Sequence, residues 1–163
     1  MNARRITIVT LLCLVAGVMV GCQSAQLAGP LAPELAGSDP DAQMEFWHTL
    51  ALRTTVSNDE AFHGLLLYLD GKDDAGDYSQ RVAQLESRGM LNAGFDRPAA
   101  EAVSRGTLAR ALVATLQIKG GVMLRVVGPR PRYAVRELQY VGIYPRSSPQ
   151  QTFSGSQYVA VIG

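Results

Sequence analysis

Three serines, each preceded by a large apolar residue, recur at near-equal spacing and limit what this chain can fold into. Val56-Ser57, Val103-Ser104 and Phe153-Ser154 lie 47 and 50 residues apart. Another large side chain follows four or five residues later each time: Phe62, Leu108 and Tyr158. A serine so placed caps a helix, its hydroxyl accepting from a free donor in the first turn, which is worth about 1 kcal/mol. At the first site Glu60 completes a capping box, and at the other two the flanking apolar residues sit where a hydrophobic staple would place them. A second signature lies upstream of the latter two serines. Leu85-Glu86-Ser87-Arg88-Gly89-Met90 parallels Leu138-Gln139-Tyr140-Val141-Gly142-Ile143, each reading as a helix end, a glycine cap and an apolar residue folding back. Paired signatures in the same order predict a mainly α domain of repeated helix–loop–helix units whose apolar faces need neighbours to bury them.

Residues 41–53 carry Met44, Trp47, Leu50 and Leu52 as a helical stripe behind Asp39-Pro40. Phe62, Leu65, Leu66 and Leu69 continue the helix after Ser57, and Gly71 stops it. A helix over 77–88 turns Val82 and Leu85 inward, a loop follows over 90–102, and the helix from Ser104 runs through Leu108, Leu112 and Leu116 to Gly120-Gly121. Residues 122–127 are β-branched enough for one short strand or hairpin, and Gly128-Pro129-Arg130-Pro131 breaks whatever precedes it. The repeat pattern assigns helix to 133–141 and 158–162, although Val159 and Val161 favour strand by propensity.

The amino terminus reads differently. Arg4 and Arg5 precede an uncharged apolar run from Ile6 to Val20, closed by Gly21-Cys22, which is the pattern of an export signal. About 15 residues fall short of the roughly 20 that span a bilayer as a stable helix. Residues 19–22 resemble the lipobox of bacterial lipoprotein precursors, and that resemblance implies cleavage before Cys22 and lipid on its thiol. The alternative is an ordinary signal peptide with a chance cysteine. Cys13 lies inside the signal, so no disulfide framework is open to the remaining chain. Gln23 after the cysteine implies, by analogy with sorting in Gram-negative bacteria, the outer membrane. Residues 22–40, rich in Ala, Gly, Pro and Ser, read as the lipidated cysteine and a flexible tether, with the repeat domain over 41–163.

Charge is divided unevenly. Residues 23–80 hold two basic and ten acidic residues, a net of −8, whereas 81–163 hold eleven basic and four acidic, a net of +7. The halves could attract each other, or the basic half could face an acidic envelope polymer. Arg125, Arg130, Arg132 and Arg136 fall within a dozen residues and suit acidic polysaccharide or lipid headgroups, with a solvated linker as the alternative. Export removes the chain from nucleic acid.

On the parts now described, residues 78–118 resemble a degenerate surface-layer homology module. The matching parts are the helix ending at Leu85–Leu91, an irregular loop with Phe95 and Pro98, and Val103-Ser104-Arg105-Gly106 opening an alanine- and leucine-rich helix. Residues 133–162 resemble a shortened copy, and 56–69 the closing half of an earlier one. The resemblance implies an all-α envelope module that binds cell-wall or surface polysaccharide. That family's Thr-Arg-Ala-Glu motif falls on Ser57-Asn58-Asp59-Glu60, Ser104-Arg105-Gly106-Thr107 and Ser154-Gly155-Ser156-Gln157. Arg105 is the one arginine kept, and an arginine beside a helix N-terminus suits an anionic sugar substituent. A protein–protein scaffold in an envelope assembly is the competing expectation.

No pattern specifies catalysis, a metal or a cofactor. Asp70 to Asp77 imitates a calcium loop, yet Lys72 stands at its third position, Ala75 where glycine belongs and Arg81 where the bidentate glutamate belongs. His48 and His63 have no ligand-type residue at a working spacing. Ser154-Gly155-Ser156 lacks the strand–turn–helix setting of a nucleophile elbow. The chain is expected not to be an enzyme.

Overall fold

The computed structural model describes residues 30–121 and 126–162. Among these, six α-helices of at least eight residues pair into three helix–loop–helix units. Unit 1 is α1 (Pro40–Ala51) and α2 (Asn58–Asp70), unit 2 is α3 (Tyr78–Ser87) and α4 (Arg105–Thr115), and unit 3 is α5 (Pro131–Tyr140) and α6 (Gly155–Ile162). The second helix of each unit packs against the first helix of the next: α2 on α3, α4 on α5, α6 back on α1. The three units therefore close into a ring.

Local chemistry sets the helix ends as the sequence predicts. Ser57, Ser104 and Ser154 Oγ accept from the backbone N–H of Glu60, Thr107 and Gln157 at 3.1, 3.1 and 3.3 Å. Ser57 N–H donates back to Glu60 Oε2 at 2.9 Å, which completes the capping box. The two stop signatures form the same bonds: Met90 N–H reaches Leu85 O and Ile143 N–H reaches Leu138 O, both at 2.9 Å. Gly89 and Gly142 take φ of 70° and 83°, where a side chain would add strain.

The helix starts also join the units. Each first helical residue donates its N–H to the loop of the next unit: Asn58 to Glu101 O at 2.8 Å, Arg105 to Gln151 O at 2.7 Å, Gly155 to Arg53 O at 2.8 Å. Helix starts leave four backbone donors without an intrahelical partner, and here neighbouring carbonyls take them up. The apolar residues before the serines are linked through their backbones. Val56 N–H donates to Phe153 O and Val103 N–H to Val56 O, and all three side chains are buried. Ser57–Ala102 and Ser104–Thr152 form isolated antiparallel bridges.

Several sequence expectations need correction. Residues 31–40 are not loose tether: Leu31 and Leu35 are buried, a 3₁₀ turn over Pro33–Leu35 packs on α1, and Leu31 N–H donates to Asp59 Oδ2 at 3.1 Å. The packed domain therefore includes residues from Leu31 onward, not only those from 41. In α1 the buried residues are Phe46 and Leu50, whereas Met44 and Leu52 are 67% and 79% exposed, because α6 and α2 cover the Phe46 side. The expected strand near 122–127 is not seen in its described part, since Val126 and Val127 are helical; residues 122–125 lie outside the described residues. Pro131 starts α5, where its fixed φ and missing donor suit the first turn. The helix assignments for 133–141 and 158–162 hold, with the helices starting two and three residues earlier, at Pro131 and Gly155, and the first ending at Tyr140.

Candidate functional site

Cys22 and Arg125 lie outside the described residues. Arg105 sits at the first position of α4, as its place after Ser104 requires, but the ring folds it inward to 7% exposure. Its guanidinium lies 4.9 Å from the Phe153 ring centroid, Nε donates to Thr152 O at 3.3 Å, and Nη2 donates to Gln157 Oε1 at 2.8 Å. An arginine expected to reach outward is thus engaged in joining unit 2 to unit 3. Arg130 caps the start of α5 through its backbone, and Arg132 is the second residue of the helix; both side chains are exposed. Arg130, Arg132, Arg136 and Arg146 make no ion pair with any described residue.

Where units 2 and 3 meet, a polar depression of about 580 Å³ is lined by Arg105, Arg146, Gln150, Gln151, Thr152 and Gln157. Arg146 also borders a neighbouring depression of about 500 Å³ with Arg136, Gln139, Tyr140 and Tyr144. The 145–147 loop between them is held by Gln139 Nε2, which donates to Ser147 O at 2.9 Å. Burial pushes the Tyr144 phenol well above its ordinary range, despite the nearby Arg105 charge, so it remains a neutral donor. The arrangement offers amide donors and acceptors beside a free guanidinium. That chemistry suits a hydroxyl-rich or anionic ligand and supplies no nucleophile–base pair.

A larger cleft of about 700 Å³ lies along unit 2, from Asn58 of unit 1 past Phe95, Arg97, Glu101 and Thr107 to Pro149 and Thr152 of unit 3. Its polar groups are largely engaged. Asn58 Nδ2 donates to Pro98 O at 2.9 Å, and Arg97 Nη1 to Glu101 Oε1 at 2.9 Å.

The acidic turn that imitates a calcium loop turns its key carboxylate inward. Asp73 Oδ2 accepts from His63 Nδ1 at 2.6 Å and from Arg81 Nε, its Oδ1 accepts from Ala75 N–H at 2.9 Å, and Arg81 Nη1 reaches Asp59 Oδ1 at 2.8 Å. All four ionisable side chains are buried. Burial alone would raise the Asp73 carboxyl; His63, Arg81 and the Ala75 amide together hold it below its ordinary value. At the turn's edges Arg88 forks onto Asp70 at 3.0 and 2.6 Å and Lys72 pairs with Asp74 at 2.7 Å. Arg81 and Arg88 also realise part of the attraction expected between the acidic and basic halves.

Arg146, Tyr140 and the glutamines at 150 and 151 were not singled out by sequence. Arg146 is isolated between prolines and serines, and no local pattern marks it. Packing of unit 3 against unit 2 brings it beside Arg105. No protein-family model, curated protein or solved structure matches the chain.

Proposed function

We propose that the chain is an exported lipoprotein, held through lipid on Cys22 at the outer membrane of the cell envelope. Its three-unit helical domain binds cell-wall or surface polysaccharide, in an anchoring role and without catalysis. The observation that carries this reading is the polar, arginine-bordered depression at the unit 2–unit 3 boundary. A scaffold for a partner helix would instead need an apolar groove around Trp47, Phe62 or Tyr158. Phe62 and Tyr158 are wholly buried, and Trp47 packs against Phe46 with ring centroids 5.1 Å apart. The closed ring of serine-capped units further supports the likeness to surface-layer homology modules, in which glycan is bound by helix starts.

Two measurements test it. Metabolic labelling with palmitate is expected to mark the wild-type chain and to vanish in Cys22→Ser; label retained in the variant removes the lipoprotein reading. The unlipidated chain is expected to co-sediment with isolated cell-wall material, and Arg146→Ala to weaken that about tenfold, the worth of one charge-assisted hydrogen bond. Arg146 is exposed, so the variant should fold normally. If neither protein sediments while a pull-down retrieves one specific envelope protein, the scaffold reading replaces this one.

A further inference from the structure

We infer that unit 3 carries a second interaction surface, the outer face of α5, which docks on an anionic phospholipid bilayer. Arg132, Arg136 and Tyr140 lie four residues apart and form one stripe along the helix. The opposite side, Ala134, Val135 and Leu138, is buried against the core. Arg146 extends the stripe, since it borders the same depression as Arg136 and Tyr140.

No described residue forms an ion pair with these arginines. Four other arginines of the basic half are engaged: Arg81 with Asp59 and Asp73, Arg88 with Asp70, Arg97 with Glu101, Arg105 with Gln157. Between residues 126 and 162 the sequence has one acid, Glu137, whose carboxylate accepts from Gly121 N–H at 3.2 Å. Arg130, Arg132, Arg136 and Arg146 are each exposed to solvent. A positive field of this kind attracts anionic headgroups and weakens over a Debye length, about 10 Å at 0.1 M salt.

Apolar exposure selects a bilayer over a hydrated acidic polymer. Tyr140 is 87% exposed and Val141 47%, at the end of the arginine stripe. A phenol ring beside guanidinium groups suits the boundary between headgroups and acyl chains, where its apolar body and polar tip are both satisfied. A hydrated polyanion would leave that apolar area in water. The inference goes beyond glycan binding and stands on the α5 surface, with Arg146 at its edge shared with the glycan depression; attachment at Cys22 would only bring the surface to its target.

The test uses the unlipidated chain from Gln23 onward with sucrose-loaded vesicles of phosphatidylcholine, with and without one quarter phosphatidylglycerol. Wild type is expected to sediment with the anionic vesicles at least tenfold more than with the neutral ones, and 0.5 M salt should release it. Arg132→Glu combined with Arg136→Glu should lose at least tenfold of that binding, and Tyr140→Ala several-fold with every arginine intact. All three positions are exposed, and an unchanged circular dichroism spectrum confirms folding of the variants. Equal sedimentation with both vesicle types, none with either, or unaltered binding by the charge-reversed variant overturns the inference. So does tight binding to soluble polygalacturonate with no binding to vesicles, which would make the face a polymer site. Arg146 is left unchanged, so loss of wall binding and loss of vesicle binding are separately readable.

Discussion

Gly155→Ala is expected to destabilise the domain by about 4 kcal/mol or more, in the range only exceptional substitutions reach. Gly155 opens α6, and its N–H donates to Arg53 O at 2.8 Å where unit 3 closes onto unit 1. A Cβ added there would stand 1.6 Å from Leu50 O, 2.7 Å from Leu50 C and 3.1 Å from Ala51 C. These are backbone atoms at the end of α1, so no rotamer change relieves the overlap. The helices must separate, and with them the buried contacts of Leu50, Phe46 and Tyr158. Tyr158 alone donates from its hydroxyl to Ala61 O at 2.6 Å while wholly buried. Domains of this size are stable by about 5–15 kcal/mol, so much of that margin goes with the methyl group. Urea unfolding followed by circular dichroism measures the change. Gly76→Ala is the control, because its Cβ would meet nothing closer than Gln80 at 3.6 Å. If both variants unfold at the same urea concentration, the closure between α6 and α1 is not as described.

Asp73→Ala is expected to cost about 3–5 kcal/mol at neutral pH, the usual penalty for removing one partner of a buried ion pair. The loss leaves Arg81 Nε, His63 Nδ1 and the Ala75 amide facing an empty, water-poor site. A pH dependence accompanies it. The folded carboxyl titrates below the unfolded one, so the unfolded chain takes up the proton first as pH falls. The contribution of Asp73 is therefore complete above the unfolded value of about 3.9 and is lost as pH drops through the folded value. Wild-type stability should be level in this respect above about pH 5 and decline below about pH 4. Asp73→Asn, which keeps the shape and an acceptor for Ala75, should fall between wild type and Asp73→Ala at pH 7 and show a shallower acid decline. Urea midpoints at pH 7 and pH 3 read both effects; an acid decline as steep in Asp73→Asn as in wild type would show that other carboxylates govern it.

What the residues disclosed most directly was whatever is decided within one turn of helix. A serine cap involves its own third neighbour, and the bonds at Gly89 and Gly142 close within five residues, so matching short patterns produced matching structures at 85–91 and 138–144. Longer-range features were misread for a consistent reason. Leu31 and Leu35 look like sparse apolar residues in a tether, and only the Asp59 carboxylate accepting from Leu31 N–H ties them to the core. Met44 and Leu52 fit a helical stripe as well as Phe46 does, but which side of α1 is covered depends on where α6 lands. The acidic turn reads as solvated until Arg81 and His63, eight and ten residues from Asp73, converge on it.

The candidate site divides the same way. Arg130, Arg132 and Arg136 were recognisable as a basic run, because their shared helix keeps sequence neighbours together. Arg105 was recognisable as a helix-start arginine but not as a buried one, since the Phe153 ring beneath it comes from 48 residues away. By itself the sequence determined the capped helices, their stops, their threefold recurrence and the surplus of positive charge late in the chain, all properties of residues within a turn or two of each other. Only the tertiary structure decided that the units close into a ring, that Gly155 must lack a side chain, and which arginines remain free. Those outcomes depend on backbones and charges that approach across long separations, where chain direction rather than local preference sets the distance.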